Sequence, residues 1–124
     1  MQMIGQLVAT MFLSREMAHR AHLATTGAGS FARHMALGEF YPAIIDIADS
    51  ITEAYQGRHS LIEIPYLDAP EDYNKIIEIL EKHLEDIEGL RYAAVDKKDT
   101  AIQNLIDEAV GIYLSALYKL KNLK

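Results

Sequence analysis

The sequence predicts an all-α protein, an antiparallel bundle of four helices, and three observations predict it. Breaks are sparse: Gly27, Gly29 and Ser30 interrupt the chain early, Gly57 to Pro70 form a longer break, and Asp96 to Asp99 form a third. The four segments between them are each long enough for several helical turns, and none alternates as a strand would. Three of them carry apolar residues in one narrow sector at 100° per residue. At 124 residues the chain reads as a single domain, residues 1–124, of a size that buries about two-thirds of its surface on folding.

The first segment, Gln2 to Leu23, places Ile4, Leu7, Val8 and Met11 on one face. Continued, that stripe reaches Ala18 and then His22, a histidine where an aliphatic residue is expected. In the second segment, Phe31 to Gln56, Leu37, Phe40, Ile44, Ile47, Ala48, Ile51, Ala54 and Tyr55 form the core stripe. The opposite side carries Phe31, His34, Met35, Gly38, Pro42, Ile45, Asp49 and Glu53. A surface helix is polar there, so this second apolar face predicts a subunit interface. Pro42 predicts a kink or one displaced hydrogen bond.

The third segment carries Tyr73, Ile76, Ile77, Leu80, Leu84 and Ile87 as one stripe, with Asp68 and Glu71 spaced as a capping box and Pro70 in the first turn. The fourth carries Leu105, Ile106, Ala109, Ile112, Tyr113, Ala116, Leu117 and Leu120, with Thr100 and Gln103 spaced as a capping box. Lys119, Lys121 and Lys124 complement the negative end of this last helix.

Composition narrows the function. Eighteen acidic against 12 basic residues, a net charge of −6, count against nucleic-acid binding, which rests on massed Lys and Arg. With no cysteine there are no disulfides, thiolate metal sites or cysteine nucleophile. The most apolar stretch, Ala109 to Tyr118, falls short of the ~20 residues a membrane span needs. The first cation, Arg15, follows the apolar stretch that it precedes in a signal peptide. The expectation is a cytoplasmic protein with no membrane partner. Half the residues are apolar and only 24% charged, a surplus that suits contact with another chain.

Four residues carry the chemistry. Asp49 and Glu53, four apart, point the same way from one helix, and no basic residue lies between them on that face. With His22 and His34 they offer imidazole nitrogens and carboxylate oxygens, a donor set that admits iron, manganese and zinc.

The stretch from His22 to Glu53 resembles the site-bearing region of the Dps mini-ferritins, within the ferritin-like superfamily. There a histidine near the end of helix one is followed by a glycine-containing turn, an aromatic and a second histidine early in helix two. An Asp-x-x-x-Glu pair then follows on the same helix. Here these are His22, Gly27, Phe31, His34, Asp49 and Glu53.

The resemblance implies a ferritin-like bundle with a long crossing connection between helices two and three. It also implies a homo-oligomer, a dimer at least and in that family a twelve-subunit shell. Its site lies between subunits, with His22 and His34 of one chain facing Asp49 and Glu53 of another. These four would bind iron and act as the catalytic residues of a ferroxidase, which oxidises ferrous iron with peroxide and stores the product. Two positions depart from the family: Gly38 stands where a further acidic ligand is expected, and Leu23 where an aromatic follows the first histidine. No basic tail precedes helix one, so the DNA binding of some members is not expected.

Three histidines have plainer readings. Glu16-x-x-His19 has the spacing of di-iron bundles but stands alone, so Glu16 reads as solvated, while His19, about 60° from His22, stays open as an alternate ligand. His59 and His83 read as structural or solvated. The alternative to iron chemistry is a metal-free helical module that keeps the scaffold as an oligomerisation or partner-binding surface.

Overall fold

The computed structural model describes residues 2–124. It contains α1 (Met3–Ala24), α2 (Ser30–Arg58), α3 (Ile76–Ala94) and α4 (Thr100–Asn122), with no strand among the described residues. Each of α1 and α4 lies beside both α2 and α3, which leaves α1/α4 and α2/α3 as the diagonals of a four-helix bundle. Short turns join α1 to α2 and α3 to α4. Arg58, at the end of α2, pairs with Asp99 at the start of α4, and Glu39, early in α2, pairs with Lys119 late in α4. Helices α2 and α4 therefore run antiparallel, and α2 and α3 run parallel across the diagonal. Joining them requires a connection that returns along the whole bundle, which residues 59–75 provide. This is the connectivity with one long crossover that ferritin-like folds share.

The connection explains why so much of α1 is buried. It passes the start of α1, where the Glu63 N–H donates to the Gln2 side chain, and a Cβ at Gly5 would fall on the Glu63 carbonyl oxygen. Ile62 and Ile64 pack on the core from this segment. Helix α1 thus has a partner on more than one side, and Gly5, Ala9 and Thr10 are buried beside the expected Ile4, Leu7, Val8 and Met11.

The core runs the length of the bundle through Leu7, Met11, Phe40, Ile44, Leu80 and Ile106. Burying each such side chain stabilises the fold by about 1.5–3 kcal/mol. No helix among the described residues is long and apolar enough to cross a membrane.

Two expected caps are corrected. Helix α3 begins at Ile76 after Lys75, with no side-chain cap; Asp68, Pro70 and Glu71 belong to the connection. Asp72 captures the Asn74 N–H through Oδ1, and its carbonyl accepts from the Lys75 N–H, so a turn is closed before the helix can start. Tyr73 consequently reaches the core from outside the helix. Helix α4 is capped by Asp99, which accepts from the Ile102 N–H, so Thr100 is the first helical residue. Gln103 is buried and turned inward, accepting from Arg91 Nε at 2.9 Å and donating to the Val95 carbonyl at 3.0 Å. It ties the α3–α4 turn together in place of boxing the cap. Helix α2 is unbroken at Pro42, whose missing N–H leaves the Gly38 carbonyl without its intrahelical donor.

Candidate functional site

His22 lies in the last turns of α1 and His34 in the second turn of α2, so the short turn at Thr25 to Gly29 folds one histidine onto the other. Glycine is needed in that turn: Gly27 and Gly29 both have positive φ, at 93° and 76°. The imidazole rings stack with centroids 3.7 Å apart and planes 21° from parallel.

The bonding around the pair is reciprocal. His22 Nδ1 lies 2.8 Å from the His34 carbonyl oxygen, and His34 Nδ1 lies 3.1 Å from the His22 carbonyl oxygen. A carbonyl can only accept, so each Nδ1 carries a proton and donates it. In the neutral ring Nε2 then holds the free lone pair, and neither Nε2 has a hydrogen-bond partner among the described residues. Metal-ligating histidines are oriented in the same way, one ring nitrogen tied to a backbone carbonyl and the other left to coordinate. The contact also has a local cause, because the His22 carbonyl belongs to the last turn of α1 and lacks an intrahelical donor.

Gly38 makes the stack fit. A Cβ at this position would lie 2.9 Å from Cε1 and 3.3 Å from Nδ1 of His22, so no side chain can stand there with the ring in place. The absence of a side chain at Gly38 is therefore a steric requirement of this histidine pair.

The stack continues outward. Tyr41 tilts against His22 with centroids 5.4 Å apart and lies flat on His19 at 4.3 Å, and the Arg15 guanidinium sits 5.9 Å from the Tyr41 centroid. His19 is thus held by an aromatic neighbour, while Glu16 pairs with Arg20 and Arg15 on the wet face. Sequence reasoning missed the role of Tyr41, although its spacing from His34, seven residues or two turns, places it on the same side of α2.

Asp49 and Glu53 are exposed on the outer face of α2, and neither forms an ion pair among the described residues. Fifteen residues separate Asp49 from His34, about 22 Å along a helix axis. The structure thus brings the histidines together and leaves the carboxylates apart from them in the same chain. Among the described residues no cluster of three or more potential ligands could hold a metal ion. A site using all four residues needs two chains. Phe31 and Met35 lie exposed beside the histidines, Phe31 at 75%, with Pro42 and Ile45 between them and the carboxylates. Part of the apolar surplus lies elsewhere, at Leu61 and Tyr66 of the connection and at Leu114 and Tyr118 of α4. A cleft of about 680 Å³ between α2 and α4 contains none of the four residues.

A protein-family model described as a family of unknown function, DUF5856, matches residues 22–120, and the chain belongs to that family. The match begins at His22 and contains all four candidate residues. No curated relative and no solved structure matches the chain.

Proposed function

We propose that this member of the family binds ferrous iron between two copies of the chain and oxidises and sequesters it, with His22 and His34 of one copy and Asp49 and Glu53 of the other as ligands. The observation that carries this reading is the reciprocal Nδ1–H bonding of the two histidines, which leaves both Nε2 lone pairs without a hydrogen-bond partner among the described residues. The outer face of α2 supports the pairing of copies. Pro42 stands seven residues from both Met35 and Asp49, and eleven from both Phe31 and Glu53. An antiparallel crossing of two α2 helices near Pro42 sets the histidine end of each against the carboxylate end of the other. His34 of each copy then lies opposite the Asp49 and Glu53 end of the other.

In this reading iron is substrate and cargo. The imidazoles fix its position through neutral nitrogen donors, the carboxylates compensate the charge that rises on oxidation, and peroxide is the oxidant. Zinc and manganese suit the same donors and would compete. Such a protein belongs in the cytoplasm, where ferrous iron and peroxide meet.

One observation favours a metal-free oligomerisation module instead: the histidine contacts already satisfy a carbonyl at the end of α1, a structural use that needs no metal. One experiment separates the two. Protein purified without chelators is titrated with ferrous iron without oxygen, beside the Asp49→Asn/Glu53→Gln variant, and both are sedimented. The iron reading expects stoichiometric uptake by a dimer or larger assembly and its loss in the variant. Equal iron content in the two proteins overturns it and leaves the module.

A further inference from the structure

Away from the histidine pair, three polar side chains from three helices meet inside the bundle. Ser14 of α1 lies 2.6 Å from His83 Nδ1 of α3 and 2.6 Å from the Tyr113 hydroxyl of α4. Ser14 and Tyr113 are fully buried, and His83 is 7% exposed. The Tyr113 and Phe40 rings meet in a T-shaped contact, and the hydroxyl's only hydrogen-bond partner among the described residues is Ser14.

Counting protons fixes the direction of this chain. In the order in which Tyr113 donates to Ser14 and Ser14 donates to His83 Nδ1, both hydroxyl hydrogens are used. Burial pushes the Tyr113 phenol up from its ordinary value, so it stays protonated and remains a donor. With a proton on Nδ1, Ser14 either donates to Tyr113 and strands the phenolic O–H, or accepts from both neighbours and strands its own, so one hydroxyl hydrogen lacks an acceptor in the core. The imidazolium ion carries a proton on both nitrogens, so it cannot accept from Ser14 and always leaves one buried hydroxyl hydrogen stranded.

His83 can nevertheless be reached. Its outer edge lies in a cleft of about 470 Å³ between α3 and the end of the connection. On the α3 side, Asp86 favours protonation and Lys82 opposes it, while Glu78 lines the wall; the connection brings Glu71, Asp72 and Lys75. From α1 and α4 the facing groups are Ser14 and Tyr113.

We propose that Tyr113, Ser14 and His83 form a pH-sensitive latch that holds α1, α3 and α4 together while His83 is neutral and releases them when a proton enters through the cleft. Burial holds the His83 imidazole below the usual histidine value, in keeping with a neutral ring in the closed latch. The unfolded chain then binds this proton more readily than the folded one. Stability from the latch is complete above about pH 6.5 and declines as the pH falls below it.

The test is the acid slope of stability, measured by denaturant unfolding from pH 8 to pH 5 for the native protein and for His83→Gln, whose amide oxygen can accept from Ser14 without titrating. Each protein is referred to its own value at pH 8, so a uniformly weaker variant remains informative. The native unfolding constant should rise by up to about tenfold per pH unit below about pH 6.5, with a shallower rise in the variant. Equal slopes overturn the proposal. Nitrogen-detected spectra of the native protein give a second reading that no variant can spoil. A neutral His83 with its proton on Nε2 and a midpoint below 6.5 is expected, and a proton on Nδ1 or an undepressed midpoint overturns the latch.

Discussion

The two histidine clusters of this bundle differ in what lies around them, and the difference separates stability from chemistry. His83 is enclosed by three helices, its Nδ1 is committed to Ser14, and the chain it ends leaves no buried polar atom unpartnered among the described residues. His22 and His34 lie nearer the surface, stacked on each other and bonded through Nδ1, with neither Nε2 hydrogen-bonded among the described residues. A buried polar group that loses its partner bears the whole desolvation cost, whereas an exposed one turns to water. The interior cluster should therefore dominate folding energetics, and the surface cluster should be nearly silent in folding and sensitive in binding.

The widest gap is expected from Ser14→Ala. It removes one small hydroxyl but orphans two buried groups, the Tyr113 phenol and His83 Nδ1. The expected loss is about 2–4 kcal/mol, read from denaturant unfolding at pH 8. A loss below about 1 kcal/mol would mean that water already serves these groups, and the contrast between the clusters would fall.

Much of this was legible in the residues. The four segments, the three breaks and the second apolar face of α2 follow from spacing, because helical periodicity survives in any well-packed bundle. The caps did not follow, because Asp72 and Asp99 compete locally with the boxes proposed around Asp68 and Thr100, and single hydrogen bonds decide which wins. The latch left a signal that periodicity alone does not interpret. Ser14 falls seven residues beyond Leu7 and three beyond Met11 on the stripe of α1, a polar residue at a core angle. Its meaning depends on His83 and Tyr113, which lie 69 and 99 residues away. The role of Gly38 was hidden for a similar reason. Its lack of a side chain reads as a lost ligand until the ring of His22 is placed against it.

Gly38→Ala should act between these extremes. Alanine favours a helix over glycine by about 1 kcal/mol, but here the new Cβ meets the His22 ring at 2.9 Å. The two effects oppose each other, so stability should change by less than about 1 kcal/mol, while the ring is displaced and its bond to the His34 carbonyl is lost. Imidazole nitrogen shifts of His22 report that displacement directly. An unchanged His22 spectrum would show that the ring sits elsewhere, and the steric account of Gly38 would fail with it.

The smallest effect on folding is expected from His34→Ala, and it tests the surface half of the comparison most sharply. His34 is exposed, and its one side-chain bond caps a carbonyl in the final turn of α1, where water can replace it. The change should cost no more than about 0.5 kcal/mol in denaturant unfolding, the lower end of the net worth of a single hydrogen bond, because this one is exposed. The same substitution removes one of the two free Nε2 atoms, so ferrous uptake should fall sharply while the melt barely moves. If instead the melt shifts by as much as in Ser14→Ala and metal uptake is unchanged, the histidine stack is a clasp for the α1–α2 turn. The chemistry assigned to it would then have to be given up.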